Sequence, residues 1–186
     1  MVVESAGSIG CGTSSRNSEV VHAGIYYPTG SLKAKHCVRG SAQLLDFCSG
    51  RVRHNICGKL IVATSKTQLA SLDRIAAHAA GNGVHLERLL AEAARAMEPE
   101  LSCVGALFSP RTAVVDSHGL MEAFLADAED AGAVVAFKTS VQSGQLLPGG
   151  GVEVKTGPAA FTIRADEVVN CAGLAASRVA LALGVP

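Results

Sequence analysis

Apolar residues recur along the chain in two rhythms, one helical and one strand-like. Cys37, Val38, Ala42 and Leu45 fall at helical spacing between a Pro28-Thr29-Gly30 turn and Gly50, with Ser31 as the candidate N-cap of a first helix. Leu60-Ile61-Val62-Ala63 is a short β-rich run. Ser65 and Gln68 then have the S-x-x-Q spacing of a capping box, which predicts a helix carrying Leu69, Leu72, Ala76 and Ala79 that ends at Gly81-Asn82-Gly83. Leu86, Leu89, Leu90 and Ala93 predict another helix as far as Pro99, and Val104 to Phe108 a strand. Asp116 is placed to cap a helix bearing Leu120, Phe124, Leu125 and Ala128, which Gly132 terminates.

A strand from Ala133 to Val141 follows that helix directly, a helix-to-strand unit typical of α/β sheets. Turn signals at Gly144, Pro148-Gly149-Gly150-Gly151 and Gly157-Pro158 then separate the short runs Val152-Glu153-Val154 and Phe161-Thr162-Ile163, as in an antiparallel meander. Glu167 to Cys171 reads as a last strand, ending at Ala172-Gly173, where small side chains permit close backbone approach to a ligand. The pattern as a whole predicts an α/β chain that is α+β in part.

Composition sharpens this picture by exclusion. In 186 residues, 48% are hydrophobic and 17% charged, enough for one packed core and far from a disordered composition. Lys plus Arg and Asp plus Glu are both 16, so the formal charge is zero and nothing marks a nucleic-acid or anionic-membrane surface. No apolar run approaches the roughly 18 residues of a membrane span, and the N-terminus has no signal-peptide succession, so the expected location is cytoplasmic, or at most peripheral to a membrane. The six cysteines are scattered without a C-x-x-C pair, and no metal site is expected; they read as reduced core thiols.

Candidate chemistry concentrates near the start. Glu4 follows a short β-like run and precedes a Gly-rich loop, the place where a dinucleotide fold sets a carboxylate against a ribose diol. Its companion, a G-x-G-x-x-G turn about 20 residues earlier, has no room in this chain, and Gly10-Cys11-Gly12 does not substitute because Ser15 stands at the third glycine position. The chain alone is therefore expected to bind a dinucleotide poorly.

The stretch Gly12-Thr13-Ser14-Ser15-Arg16-Asn17-Ser18-Glu19-Val20-Val21-His22-Ala23-Gly24-Ile25-Tyr26-Tyr27-Pro28, followed by Gly30-Ser31-Leu32-Lys33-Ala34, resembles the flavin-contacting loop and helix of L-2-hydroxyglutarate dehydrogenases, FAD enzymes of the D-amino-acid-oxidase superfamily. Asn82-Gly83-Val84, Glu98-Pro99-Glu100-Leu101, Val115-Asp116, Gly132-Ala133 and Val169-Asn170-Cys171-Ala172-Gly173-Leu174 continue the likeness in the same order. The resemblance implies an incomplete FAD-binding Rossmann-like domain with part of an antiparallel-sheet substrate domain. It divides the chain into an FAD loop and helix (1–50), the first part of the substrate domain (51–110), and a return to the FAD-binding domain with the meander (111–186).

By the same resemblance, the activity is oxidation of L-2-hydroxyglutarate to 2-oxoglutarate with FAD as cofactor and a quinone or other acceptor downstream. Glu4 would hold the adenosine ribose, Thr13, Ser14, Ser15 and Asn17 would lie along the pyrophosphate and flavin, Val141 would meet the adenine through its backbone, and Ala172 and Gly173 would pass beside the cofactor. Oxidising a 2-hydroxy acid needs a base for the hydroxyl proton, a role that suits imidazole, whose ordinary pKa is about 6.5. His22, inside the matched loop, is the candidate. Arg16 is expected to contact the loop or a phosphate, the main carboxylate clamp is expected outside this stretch, and His54, His85 and His118 receive no role. The alternatives are a glycerol-3-phosphate or amine enzyme of the same superfamily, and a non-catalytic remnant or a binding module that completes its sheet with a partner chain; self-association through exposed apolar surface is expected of the chain in any case.

Overall fold

A computed structural model describes residues 1–158 and 161–185. In chain order the first elements are β1 (Val2–Val3), β2 (Val20–Val21), α1 (Leu32–Cys48), β3 (His54–Asn55), β4 (Lys59–Ala63), α2 (Leu69–Gly81), β5 (Glu87–Leu90), α3 (Ala91–Met97) and β6 (Gly105–Ser109). There follow β7 (Ala113–Val115), α4 (Ser117–Asp130), β8 (Val135–Ala136), β9 (Ser140–Leu146), β10 (Val152–Gly157), β11 (Thr162–Ala165) and α5 (Ala176–Ala182). The chain divides into two compact units, one of Met1–Asn17 with Met121–Pro186 and the other of Ser18–Leu120. Helix α1, grouped by the sequence with the flavin loop, falls in the second of these.

The Ser18–Leu120 unit holds two antiparallel sheets, in the orders β2-β7-β3 and β4-β6-β5. Helix α2 lays Leu69, Leu72, Ile75 and Ala76 against Ile61, Ala63 and Leu107 of the second sheet. Each large apolar side chain removed from water there contributes about 1.5–3 kcal/mol, which is what holds so short a sheet to its helix. Ala94 of α3 closes a smaller cluster with Cys103 and Ala106. Two helix starts form as the sequence predicts: Ser31 Oγ accepts the Ala34 N–H at 3.1 Å, and Asp116 Oδ1 accepts those of His118 and Gly119 at 3.1 and 3.0 Å.

In the other unit β1 runs parallel to β8, while β9, β10 and β11 form the expected antiparallel meander. Val154, Thr156 and Leu183 are buried there, and Val169, Leu174 and Leu181 are exposed. Among the described residues no helix is long and apolar enough to cross a membrane.

Several local expectations are corrected. Residues 87–90 form strand β5, not a helix, because they pair antiparallel with Gly105–Phe108; a run of leucines satisfies either period until a partner strand selects one. The Ala133–Val141 strand breaks at Lys138, whose φ of 52° lies in the left-handed region, so β8 and β9 are separate. Gly144 lies within β9 instead of at a turn: a Cβ there would come within 2.6 Å of both Glu153 O and Leu183 Cδ2. Residues 167–171 are irregular, with no ladder partner among the described residues. Ser65 does not cap α2; a short 3₁₀ turn, Lys66–Gln68, precedes the helix, and Gln68 Oε1 reaches back to Thr64 N at 2.8 Å. The cysteines are all free, but Cys48 and Cys103 alone are core thiols, whereas Cys11, Cys57 and Cys171 are exposed.

Glu19 ties the entry of this unit to α4. With φ 58° it turns its carboxylate so that Oε1 accepts both the Ser117 N–H, at 3.0 Å, and the Ser117 hydroxyl, at 2.7 Å. These two bonds hold its pKa below the ordinary value of 4.5. A depressed carboxyl pKa contributes stability above the unfolded value and loses it as the pH falls. Glu19→Gln is therefore expected to lower the thermal midpoint at about pH 7 and by progressively less as the pH falls through the native carboxyl's lowered pKa. An equal deficit at every pH would show that the charge contributes nothing.

Candidate functional site

Eight of the nine residues singled out from the sequence, all but His22, lie in the unit of Met1–Asn17 and Met121–Pro186. Glu4 stands at the end of β1, where its N–H donates to Ala136 O at 2.9 Å and its carbonyl accepts from Thr139 N at 2.8 Å. Glu4 thus stands at the carboxyl end of the parallel β1–β8 pair, where open α/β sheets take ligands, while Val141 lies two residues beyond Thr139, near the start of β9 in the antiparallel meander. The Glu4 carboxylate folds onto the next turn, with Oε1 accepting Ala6 N at 2.7 Å and Ser5 Oγ at 3.2 Å.

The loop after β1 is held by its own side chains. Ser15 Oγ donates to Gly10 O, Arg16 to Cys11 O at 2.6 Å and Gly12 O at 3.3 Å, and Asn17 Nδ2 to Ser14 O at 2.9 Å and Thr13 O at 3.2 Å. Five carbonyls are thereby fixed within an exposed segment that contains a single 3₁₀ turn, Thr13–Ser15. At the far end of the chain Asn170 closes the approach to α5, accepting from Ala172 N at 3.2 Å and donating to Ala176 O at 2.8 Å. A Cβ added at Gly12 or Gly173 would meet nothing within 4 Å, so the backbone at both positions faces open space.

His22 belongs to the Ser18–Leu120 unit and follows β2 directly. Its carbonyl accepts from Cys37 Sγ at 3.1 Å, and burial raises that thiol's pKa despite the opposing Lys33 charge, which keeps the thiol a donor. The next residues are clamped from α2. Asn82 Nδ2 donates to Gly24 O at 3.1 Å and Tyr27 O at 2.8 Å, and His78 Nε2 also bonds Tyr27 O. Gly24, at φ 90°, lies so close to α1 that a Cβ would come within 2.6 Å of Val38 Cγ2. The exposed His22 ring thus rises from a main chain that other groups hold.

His22 lines a small cleft with Tyr26, Tyr27, Lys59 and Thr112. Lys59 Nζ rests 4.9 Å from the centre of the Tyr26 ring. Sequence reading gave no role to Lys59, Thr112, His78 or Asn82. A lone lysine opening the apolar run of β4 carries no local signal, and Asn82 reads as a helix terminator. Among the described residues no group of three or more His, Cys, Asp or Glu side chains is placed to hold a metal.

A family profile described as FAD dependent oxidoreductase (DAO) matches residues 1–186. The mitochondrial L-2-hydroxyglutarate dehydrogenase of Arabidopsis thaliana is 49% identical over 124 residues, covering 65% of this chain and 26% of that protein. The L-2-hydroxyglutarate dehydrogenase of Salmonella houtenae is 31% identical over 185 residues, covering 99% of this chain and 43% of that protein. The chain thus spans less than half the length of these curated relatives. Among solved structures, FAD-bound L-α-glycerophosphate oxidase of Mycoplasma pneumoniae superposes with a TM-score of 0.91 at 20% identity, over 98% of this chain and 50% of that one. Glycine oxidase of Geobacillus kaustophilus gives a TM-score of 0.79 at 24% identity, over 99% and 51%. Identities this low speak to fold alone, and the fold is the expected one: a partial FAD-binding Rossmann-like domain with part of an antiparallel-sheet substrate domain.

Proposed function

The chain belongs to the FAD-dependent oxidoreductase (DAO) family, and on that footing we propose that the protein carrying it oxidises L-2-hydroxyglutarate to 2-oxoglutarate. The observation that carries the reading is the identity to proteins named L-2-hydroxyglutarate dehydrogenase, 49% over 124 residues in one and 31% over 185 in another. The cofactor of the family is FAD, and the parallel β1–β8 pair ending at Glu4, the kind of strand end at which open α/β sheets take ligands, supports placing its adenosine there. These 186 residues contain no G-x-G-x-x-G turn, so the diphosphate contacts of such a turn are not among theirs.

In this reading Glu4 holds the adenosine ribose and the Val141 main chain meets the adenine. Thr13 and Ser14 supply hydroxyls along the pyrophosphate and flavin. Ser15 and Asn17 shape the same loop through the carbonyls they hold, and Ala172 and Gly173 border the cofactor with a backbone that carries little or no side chain. His22 accepts the proton of the substrate hydroxyl as its α-carbon is oxidised. FAD, when bound, takes the hydride that leaves that carbon.

The test is anaerobic addition of candidate substrates to the flavin-loaded protein. Bleaching of the flavin's visible absorbance by L-2-hydroxyglutarate, and not by glycerol 3-phosphate or a secondary amine, is the expected result. Bleaching by either of the latter without a response to the hydroxy acid would replace this reading with another activity of the superfamily.

A further inference from the structure

We propose that Asn82 is a positioning residue for the oxidation: through its side-chain amide it sets the bend of residues 22–27, the segment that carries the candidate base. This rests on the reading above and names a residue that acts through His22 without touching the substrate. Packing alone leaves the role unfilled. Ala23 and Ile25 are buried against Ala79 and Val84, with Val38, Ile61, Ile75 and Leu86 around them, while His22 and Tyr26 are exposed. Apolar contact decides which side chains of the segment face the core, but it is non-directional and does not fix where the chain turns. Hydrogen bonds do.

Gly24, at φ 90°, and Tyr27, three residues on, both aim their carbonyls at one nitrogen, Asn82 Nδ2, which donates to them at 3.1 and 2.8 Å. A single amide bonded to both holds the chain bent between them. His78 Nε2 bonds Tyr27 O as well, which steadies one end of the bend; Asn82 spans it. The amide is itself anchored, because Asn82 closes α2: its backbone N–H donates to Ala79 O, and those of Gly83 and Val84 to Ala80 O and Ala79 O, each at 2.9 Å. Its other end carries a penalty. Asn82 Oδ1 is buried and has no hydrogen-bond partner among the described residues. Turning the amide over would set that oxygen against two carbonyl oxygens, so its orientation is fixed. An unpaired buried acceptor offsets most of what two neutral hydrogen bonds contribute, so stability alone does not account for the side chain.

The experiment follows single-turnover bleaching of the flavin by L-2-hydroxyglutarate, without oxygen, in flavin-loaded parent, Asn82→Ala, Asn82→Ser and Leu72→Ala proteins. The rate constant belongs to folded, loaded molecules, whereas loss of folded protein lowers the amplitude. Misplacing a reacting group by about 1 Å slows a reaction about 100-fold. Asn82→Ala is accordingly expected to lower the limiting rate constant about 30- to 100-fold, with the half-saturating substrate concentration within about 3-fold. Asn82→Ser, whose hydroxyl can donate one bond, is expected to fall between. Leu72→Ala truncates the core that α2 makes with β4 and β6, and should lower amplitude and thermal midpoint while leaving the rate constant within about 2-fold. In the parent, with no variant needed, NMR should show the Asn82 side-chain N–H protons exchanging with solvent about 10-fold more slowly than those of exposed Gln43. Rate constants for the Asn82 variants no lower than that of Leu72→Ala overturn the assignment, as does exchange of the Asn82 amide at the Gln43 rate. A parent whose flavin no 2-hydroxy acid bleaches overturns the proposed function itself, and this inference with it.

Discussion

Replacing His22 by Asn is expected to slow bleaching of the flavin by L-2-hydroxyglutarate about 100- to 10,000-fold, the usual worth of a positioned general base. The fold permits a clean measurement, because the segment is held by groups other than the imidazole. Val20 and Val21 pair with β7, the His22 carbonyl accepts from Cys37, and the carbonyls of Gly24 and Tyr27 accept from Asn82. Removing an exposed ring from such a segment leaves thermal stability and flavin content near the parent's. Partial recovery by added imidazole would mark the lost group as a proton acceptor and not a structural prop. A variant that bleaches at the parent's rate would remove His22 from the chemistry.

How much of this could be read from the sequence follows from the range over which each signal acts. Helices α1 and α4 were legible because their starts are encoded in a few consecutive residues, Ser31 to Ala34 and Asp116 to Gly119, whose side-chain and backbone bonds close locally. Strand β5 was not, since residues 87–90 become a strand only by pairing with β6, 15 to 21 residues later. The break between β8 and β9 depends on a left-handed lysine, which no propensity marks. Among candidate residues the division is sharper. Glu4, Ala172 and Gly173 follow from strand-end logic, although residues 167–171 form no strand, but Val141 is an ordinary apolar residue that only the family resemblance singles out. Lys59 escaped both routes, because its place in a cleft beside His22 depends on a residue 37 positions earlier.

Leu107→Ala is expected to cost about 2–5 kcal/mol of stability, read as a fall in the urea midpoint. Leu107 is 1% exposed and packs with Ala63 and Leu72 in the cluster completed by Ile61, Leu69, Ile75, Ala76 and Leu86. The truncation removes apolar contact and leaves a cavity between β6 and α2 that neighbours on a paired strand and a helix cannot fully close. Leu174→Ala, at a fully exposed leucine, supplies the comparison and is expected to shift stability by no more than about 0.5 kcal/mol. The loss matters beyond folding, because β6 is the strand against which β4 sets Lys59, through the Lys59–Ser109 pair. Against a total stability of about 5–15 kcal/mol for an ordinary domain, such a loss would also raise the opening rate of the sheet that carries one wall of the His22 cleft. Amide exchange in residues 59–63 should therefore accelerate in Leu107→Ala and not in Leu174→Ala. Indistinguishable midpoints and exchange rates in the two variants would mean that the second sheet is not held by its contact with α2.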